Sequence, residues 1–208
     1  VTRYASGWVP DRADMREPAL LGRVGAWIAR LHALAPPPGL AIVDFGERAA
    51  GYLALLQSQV EQGDIGRFAR ELESRRAALP PSARLATCHH DLHHRNFVDA
   101  GDRLVAVDWE YAGPGDPAAD LACCIGYHDL DAGRIELLLD GYGDAAAGLR
   151  ARIEALRWIG GVLDAAHYTL PKTRDGRRVV ELLRAERAAE AEPGLEELDP
   201  GEVYGRRF

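Results

Sequence analysis

Apolar residues recur at three- and four-residue steps through most of this chain, and that period predicts a largely helical protein. Leu20, Leu21, Val24, Trp27, Ile28, Leu31 and Leu34 follow it, predicting a helix over about 18–35 that Pro36-Pro37-Pro38-Gly39 ends. The same spacing predicts helices over about 45–60 and 65–78, separated at Gly63-Asp64 and closed by Pro80-Pro81. Short apolar runs then replace it. Phe97-Val98 and Arg103-Leu104-Val105-Ala106-Val107 read as two strands joined by the turn Asp99-Ala100-Gly101-Asp102. Helical spacing returns over about 117–127, 132–142, 149–170 and 176–191, and the residues from Pro193 onward read as a loosely held tail. The implied fold class is α+β, mostly helical, with one small hairpin region, in a single domain over 1–208.

Composition narrows this picture. At 208 residues and 47% hydrophobic, the chain can bury one proper core, and it has no apolar stretch of membrane length and no secretory segment. Cys88, Cys123 and Cys124 form neither a disulfide framework nor a metal spacing, which fits buried thiols in a reducing cytoplasm. A formal net charge of −7 leaves no footprint for nucleic acid and suits a cationic ligand.

The chemistry concentrates in one stretch. Cys88-His89-His90-Asp91-Leu92-His93-His94-Arg95-Asn96 is followed, after the predicted hairpin, by Asp108-Trp109-Glu110-Tyr111-Ala112-Gly113 and by Asp116-Pro117-Ala118-Ala119-Asp120-Leu121-Ala122. An Asp, an Asn five positions on, and a second Asp ending an apolar strand follow the order in which phosphoryl-transfer enzymes place a base and two magnesium ligands. Such transfer needs a carboxylate to take the proton of the attacking hydroxyl and hard oxygens to hold the metal against phosphates. Asp91 is the candidate base, and Asn96 and Asp108 are the candidate ligands. The hairpin would bring the latter two to one end. Glu110 is either a further metal contact or a solvated loop residue. His93 either touches ligand or bonds within its turn. Asp116 before Pro117 has the form of a helix N-cap, and Asp120, one turn on, is suited to anchoring the loop.

This segment resembles the signature of the aminoglycoside phosphotransferase and choline kinase superfamily, and is most similar to its bacterial choline kinase and thiamine kinase branch. The resemblance implies the C-terminal lobe of a protein-kinase-like fold. It also implies an ATP-dependent small-molecule kinase, with ATP as co-substrate, Mg2+ on Asn96 and Asp108, Asp91 as base and His89 bracing the loop. The only lysine is Lys172, and nothing before Asp91 resembles a glycine-rich phosphate loop or the strand lysine that grips ATP. The family's N-terminal lobe is thus absent from the expectation, and residues 1–8 stand for the hinge. For the acceptor, the predicted helix over 149–170 offers a second apolar side through Trp158, Gly161, Ala165 and Tyr168. Either this side packs in the core, or Trp158 and Tyr168, with Tyr127 or His128, cage a quaternary ammonium or thiazolium, with Asp164 adding charge. An antibiotic phosphotransferase and a non-catalytic metabolite-binding module are the competing expectations.

Overall fold

The computed structural model describes residues 6–36, 38–57, 63–80, 82 and 84–169, with the side chains of 57, 63–65 and 167–169 outside that description. The helix expected over 176–191, the tail and most of the hinge-like start lie outside the described residues. The chain divides into two compact units, one from Val1–Asp44 and Pro80–Arg157, the other from Phe45–Leu79 and Trp158–Phe208.

The first unit opens with α1 (Pro18–His32), which starts on a proline in its first turn, where no amide partner is needed, and buries Leu20, Leu21, Val24, Ile28, Leu31 and His32 along one face. In the second unit, α2 (Phe45–Gln57) buries Phe45, Ala49, Leu53 and Leu56, and α3 (Gly63–Ala77) buries Phe68 and Leu72. Back in the first unit, β1 (Ala86–Cys88) leads into the loop that carries Asp91. β2 (Phe97–Asp99) and β3 (Leu104–Ala106) form the expected antiparallel hairpin, with Phe97 opposite Ala106 and Asp99 opposite Leu104. The turn closes as its residues require. Gly101 takes the left-handed φ of 87°, and its amide donates to Asp99 Oδ1 at 2.8 Å. β4 (Gly113–Gly115) pairs antiparallel with β1, a pairing that the sequence pattern does not announce because Gly-Pro-Gly carries no alternation.

Three helices follow. α4 (Pro117–His128) is almost wholly apolar and buries Leu121, Cys124 and Ile125. α5 (Ala132–Tyr142) packs against α1 at backbone distance: a Cβ added to Gly25 would lie 2.1 Å from the Leu138 carbonyl, and one on Gly141 2.3 Å from the Gly22 carbonyl. α6 (Arg150–Thr169) buries Ile153 and Leu156 in its early turns and Ile159, Val162 and Ala166 later. Among the described residues, no helix is long and apolar enough to cross a membrane.

Candidate active site

A buried carboxylate holds the loop after β1. Asp120 accepts hydrogen bonds from the His89 amide at 2.8 Å, the His90 amide at 2.7 Å and His32 Nε2 at 3.1 Å. The Tyr142 hydroxyl sits 3.0 Å from His32 Nδ1 on the other side of the ring, and Nε2–H donates to the carboxylate. Burial pushes the Asp120 carboxyl up, but the His32 bond, the charges of His90 and His32 and the His89 amide together hold it below the ordinary carboxylate range. The two amide bonds fix the backbone where His90 adopts a left-handed φ of 65°, a conformation that costs a non-glycine residue about 1–2 kcal/mol. Gly115 of β4 leaves room for the His90 ring, since a Cβ there would lie 2.3 Å from its Cε1.

One residue further on, Asp91 projects a side chain that is 15% exposed. Its Oδ2 accepts from Asn96 Nδ2 at 2.9 Å, and the same Nδ2 donates to the Asp91 carbonyl at 2.8 Å. Its Oδ1 accepts from the Tyr127 hydroxyl at 3.3 Å. His93 caps the 3-10 turn His94–Asn96 through Nδ1, which accepts from the Arg95 amide at 3.2 Å, so Nε2 carries the proton and faces Asp91 Oδ2 at 3.6 Å. Burial lowers the His93 pKa against the opposing pull of Asp91.

The hairpin register sets the other half. The Val107 amide donates to the Asn96 carbonyl at 2.9 Å, extending the ladder of β2 and β3 by one step and placing Asp108 immediately beyond Asn96's partner. Asp108 is exposed and takes a left-handed φ of 63°. Strained backbone of this kind concentrates at ligand-binding sites. Because the Asn96 amide nitrogen is used by Asp91, its oxygen is the atom left for a cation. An amide oxygen with a carboxylate suits a hard ion such as Mg2+. His89 Nε2 donates to the Val107 carbonyl at 3.0 Å and its ring lies 4.6 Å from that of Trp109, tying the first loop to the second. Trp109 in turn meets Trp27 of α1, which stands edge-on to Phe97.

The structure therefore brings Asp91, His93, Asn96, Asp108 and Tyr127 into one neighbourhood, braced by His89 and Asp120. Glu110 is exposed in the loop after Asp108. Asp116 N-caps α4, accepting from the Ala118 amide at 3.0 Å, and pairs with Arg152. His128 is buried, its Nδ1 donating to the Cys124 carbonyl at 2.7 Å. Trp158 and Asp164 belong to the second unit. The Trp158 ring is 7% exposed and carries the Arg75 guanidinium over its face at 4.2 Å, occupying the surface that a cation cage would need. The Tyr168 side chain lies outside the described residues. Sequence reasoning missed His32, Tyr142 and Arg152. A signal for His32 existed: it stands four residues after Ile28 on the apolar face of α1, where a histidine needs a polar partner.

With the geometry in place, comparisons with known proteins give consistent results. A profile of the phosphotransferase enzyme family matches residues 3–157. A thiamine kinase of Escherichia coli (strain UMN026) is 39% identical over 75 residues, covering 34% of this chain and 27% of that kinase. The matched stretch is thus about a quarter of the curated relative's length. Among solved structures, a choline/ethanolamine kinase family protein from Mesorhizobium loti superposes with a TM-score of 0.74 at 25% identity, covering 92% of this chain and 69% of that one. Choline kinase LicA from Streptococcus pneumoniae superposes with a TM-score of 0.68 at 19% identity over 89% and 67% of the two chains, a likeness of fold.

Proposed function

The chain belongs to the phosphotransferase enzyme family, and from that premise we propose that it is the acceptor-binding, catalytic part of a kinase that moves the γ-phosphate of ATP to a hydroxyl of a small, choline-like or thiamine-like metabolite. The observation that carries this reading is the setting of Asp91: a carboxylate held by Asn96 Nδ2 at 2.9 Å and the Tyr127 hydroxyl at 3.3 Å, on a loop pinned from below by Asp120. Asp91 would orient the acceptor hydroxyl and take its proton. The Asn96 and Tyr127 bonds keep its oxygens aimed, and the His93 ring turns its Nε2–H toward Oδ2 at 3.6 Å. Asn96 and Asp108 would hold Mg2+, with Glu110 as a further oxygen on the same loop. The ion's contribution when bound is to neutralise charge on the transferring phosphate. Tyr127, whose hydroxyl touches Asp91, is an aromatic ring well placed for a cationic acceptor. The likeness to thiamine and choline kinases supports this choice of acceptor.

The test is ATP consumption by the intact protein with choline, thiamine and an aminoglycoside as acceptors. Asp91→Ala is expected to cut turnover of choline or thiamine by about 10²–10⁴-fold while its circular dichroism stays that of the wild type. Undiminished turnover would remove Asp91 from the mechanism. Turnover of the aminoglycoside alone would favour the antibiotic reading, and metabolite binding without any ATP consumption would favour a binding module.

A further inference from the structure

The sheet formed by β1 and β4 ends in an open edge. The Val43 amide donates to the Pro114 carbonyl at 2.8 Å, and Val43 bridges Gly115 in parallel. The Ala41 carbonyl lies 3.6 Å from where a Cβ on Gly113 would stand, and the Val43 carbonyl 3.4 Å from that of Gly115, so residues 41–43 run beside β4 in step with it. Both carbonyls turn toward β4, and strand alternation turns the amides and carbonyls of Leu40 and Ile42 the other way. There, among the described residues, those groups have no hydrogen-bond partner. The side chains of Leu40 and Ile42 share one face, 52% and 59% exposed, and Leu34 shortly before them is 58% exposed. The run 33–43, Ala-Leu-Ala-Pro-Pro-Pro-Gly-Leu-Ala-Ile-Val, holds no polar side chain, in a chain of which 27% is charged. Natural proteins guard an exposed edge with charge, with proline or a bulge on the edge itself, or with a covering element. This edge carries no charge, and its prolines lie before Gly39, short of the outward-facing groups.

We propose that the edge at 40–43 is a dimerisation surface, and that its partner is a second copy of this chain paired antiparallel about Ala41. A twofold axis beside a strand makes it antiparallel to its own copy, so one edge serves both partners. In that register Ile42 of one copy lies opposite Leu40 of the other. Each such pair exchanges both of its N–H···O bonds, and the two side chains continue a single apolar face across the axis. A charged partner finds no counter-charge there, and the net charge of −7 on each copy stays out of the contact. The exposed residues among 33–36 and 38–42 offer on the order of 600 Å² per copy, and two copies reach about the 1,200 Å² at which specific interfaces begin. Pairing uses up the edge, so association stops at the dimer. The inference is independent of the phosphotransfer reading.

The experiment is sedimentation equilibrium of the full chain over about 1–200 μM, the range in which an interface of minimal size dissociates. A reversible monomer–dimer equilibrium is expected. Ile42→Lys puts a charge on the apolar face, and Ile42→Pro removes the outward amide. Each is expected to weaken the dimer at least tenfold while circular dichroism stays that of the wild type. Ala41→Cys reads the register: at the twofold axis the paired Cα atoms would be about 4.5 Å apart, within reach of a disulfide, so mild oxidation is expected to give a covalent dimer. Oxidised wild type is the control for Cys88, Cys123 and Cys124, of which the first and last are buried. A monomer at every concentration, or a polymer that grows without limit, would overturn the proposal. A dimer that both Ile42 variants leave intact would overturn the surface, and a dimer that Ala41→Cys does not cross-link would overturn the antiparallel pairing.

Discussion

Removing the Asp120 carboxylate should unfasten the loop that carries Asp91, and the structure gives the size of the effect. The side chain is 0% exposed and accepts three hydrogen bonds, from two amides and an imidazole. Asp120→Ala leaves all three donors buried without an acceptor, and each orphaned buried group costs about 1–3 kcal/mol. Relief of the carboxylate's own burial offsets part of that sum, so the net loss is expected near 3–5 kcal/mol, the range for breaking a buried ionic pair. Asp120→Asn keeps one acceptor oxygen but turns an NH2 toward a donor, and should lose about half as much, roughly 2 kcal/mol. Urea unfolding of the two variants and the wild type, followed by far-ultraviolet circular dichroism, measures both. His32→Leu in each background completes the cycle: its cost should shrink once Asp120 is gone, because the imidazole has then already lost its partner. An Asp120→Ala protein within 1 kcal/mol of wild type would refute the argument, as would His32 and Asp120 losses that simply add.

Two further perturbations probe the scaffold. Gly25→Ala would drive a Cβ to 2.1 Å from the Leu138 carbonyl, a backbone atom that no rotamer change can move. The helices α1 and α5 must then separate, at a cost of about 1–3 kcal/mol or more, readable as a lower thermal midpoint; a midpoint equal to wild type would mean that the two helices are not in backbone contact. Acid stability tests His128, whose folded value is lowered from 6.5 to about 3. Below pH 6.5 the unfolded chain takes a proton that the native imidazole refuses until about pH 3, so its contribution is level above 6.5 and falls as pH drops through that window. Between pH 6.5 and 5 that is about 2 kcal/mol. His128→Phe should flatten the dependence by this amount in urea midpoints taken at pH 5 and 7, and parallel curves for the two proteins would count against a neutral buried His128.

The helical pattern was legible because apolar residues at 18–35 and 132–142 repeat with the helix period, and the observed α1 and α5 differ from it only at the frayed end of α1. The hairpin and its turn were legible for a similar local reason: Asp99-Ala100-Gly101-Asp102 can close one way, with Gly101 at positive φ. The spacing of Asp91, Asn96 and Asp108 along the chain named the chemistry, since the residue types themselves limit what they can bind. None of these features depends on a distant segment. The pairing of β1 with β4 does, and so does the need for glycine at 115, which follows from where the His90 ring lies.

Partnership across the chain was decided only in three dimensions. Asp120 acquires His32 from a helix 88 positions away, and Tyr127 meets Asp91 across 36. An isolated residue type does not reveal whether it will be exposed, satisfied or orphaned. Trp158, compatible in sequence with either a core or a cage, received its Arg75 cap from α3. Local sequence set the backbone's periodicity and the donor atoms available, because those depend on near neighbours. Which donor meets which acceptor, and at what cost in lost water, depends on desolvation, and desolvation is a property of the packed chain.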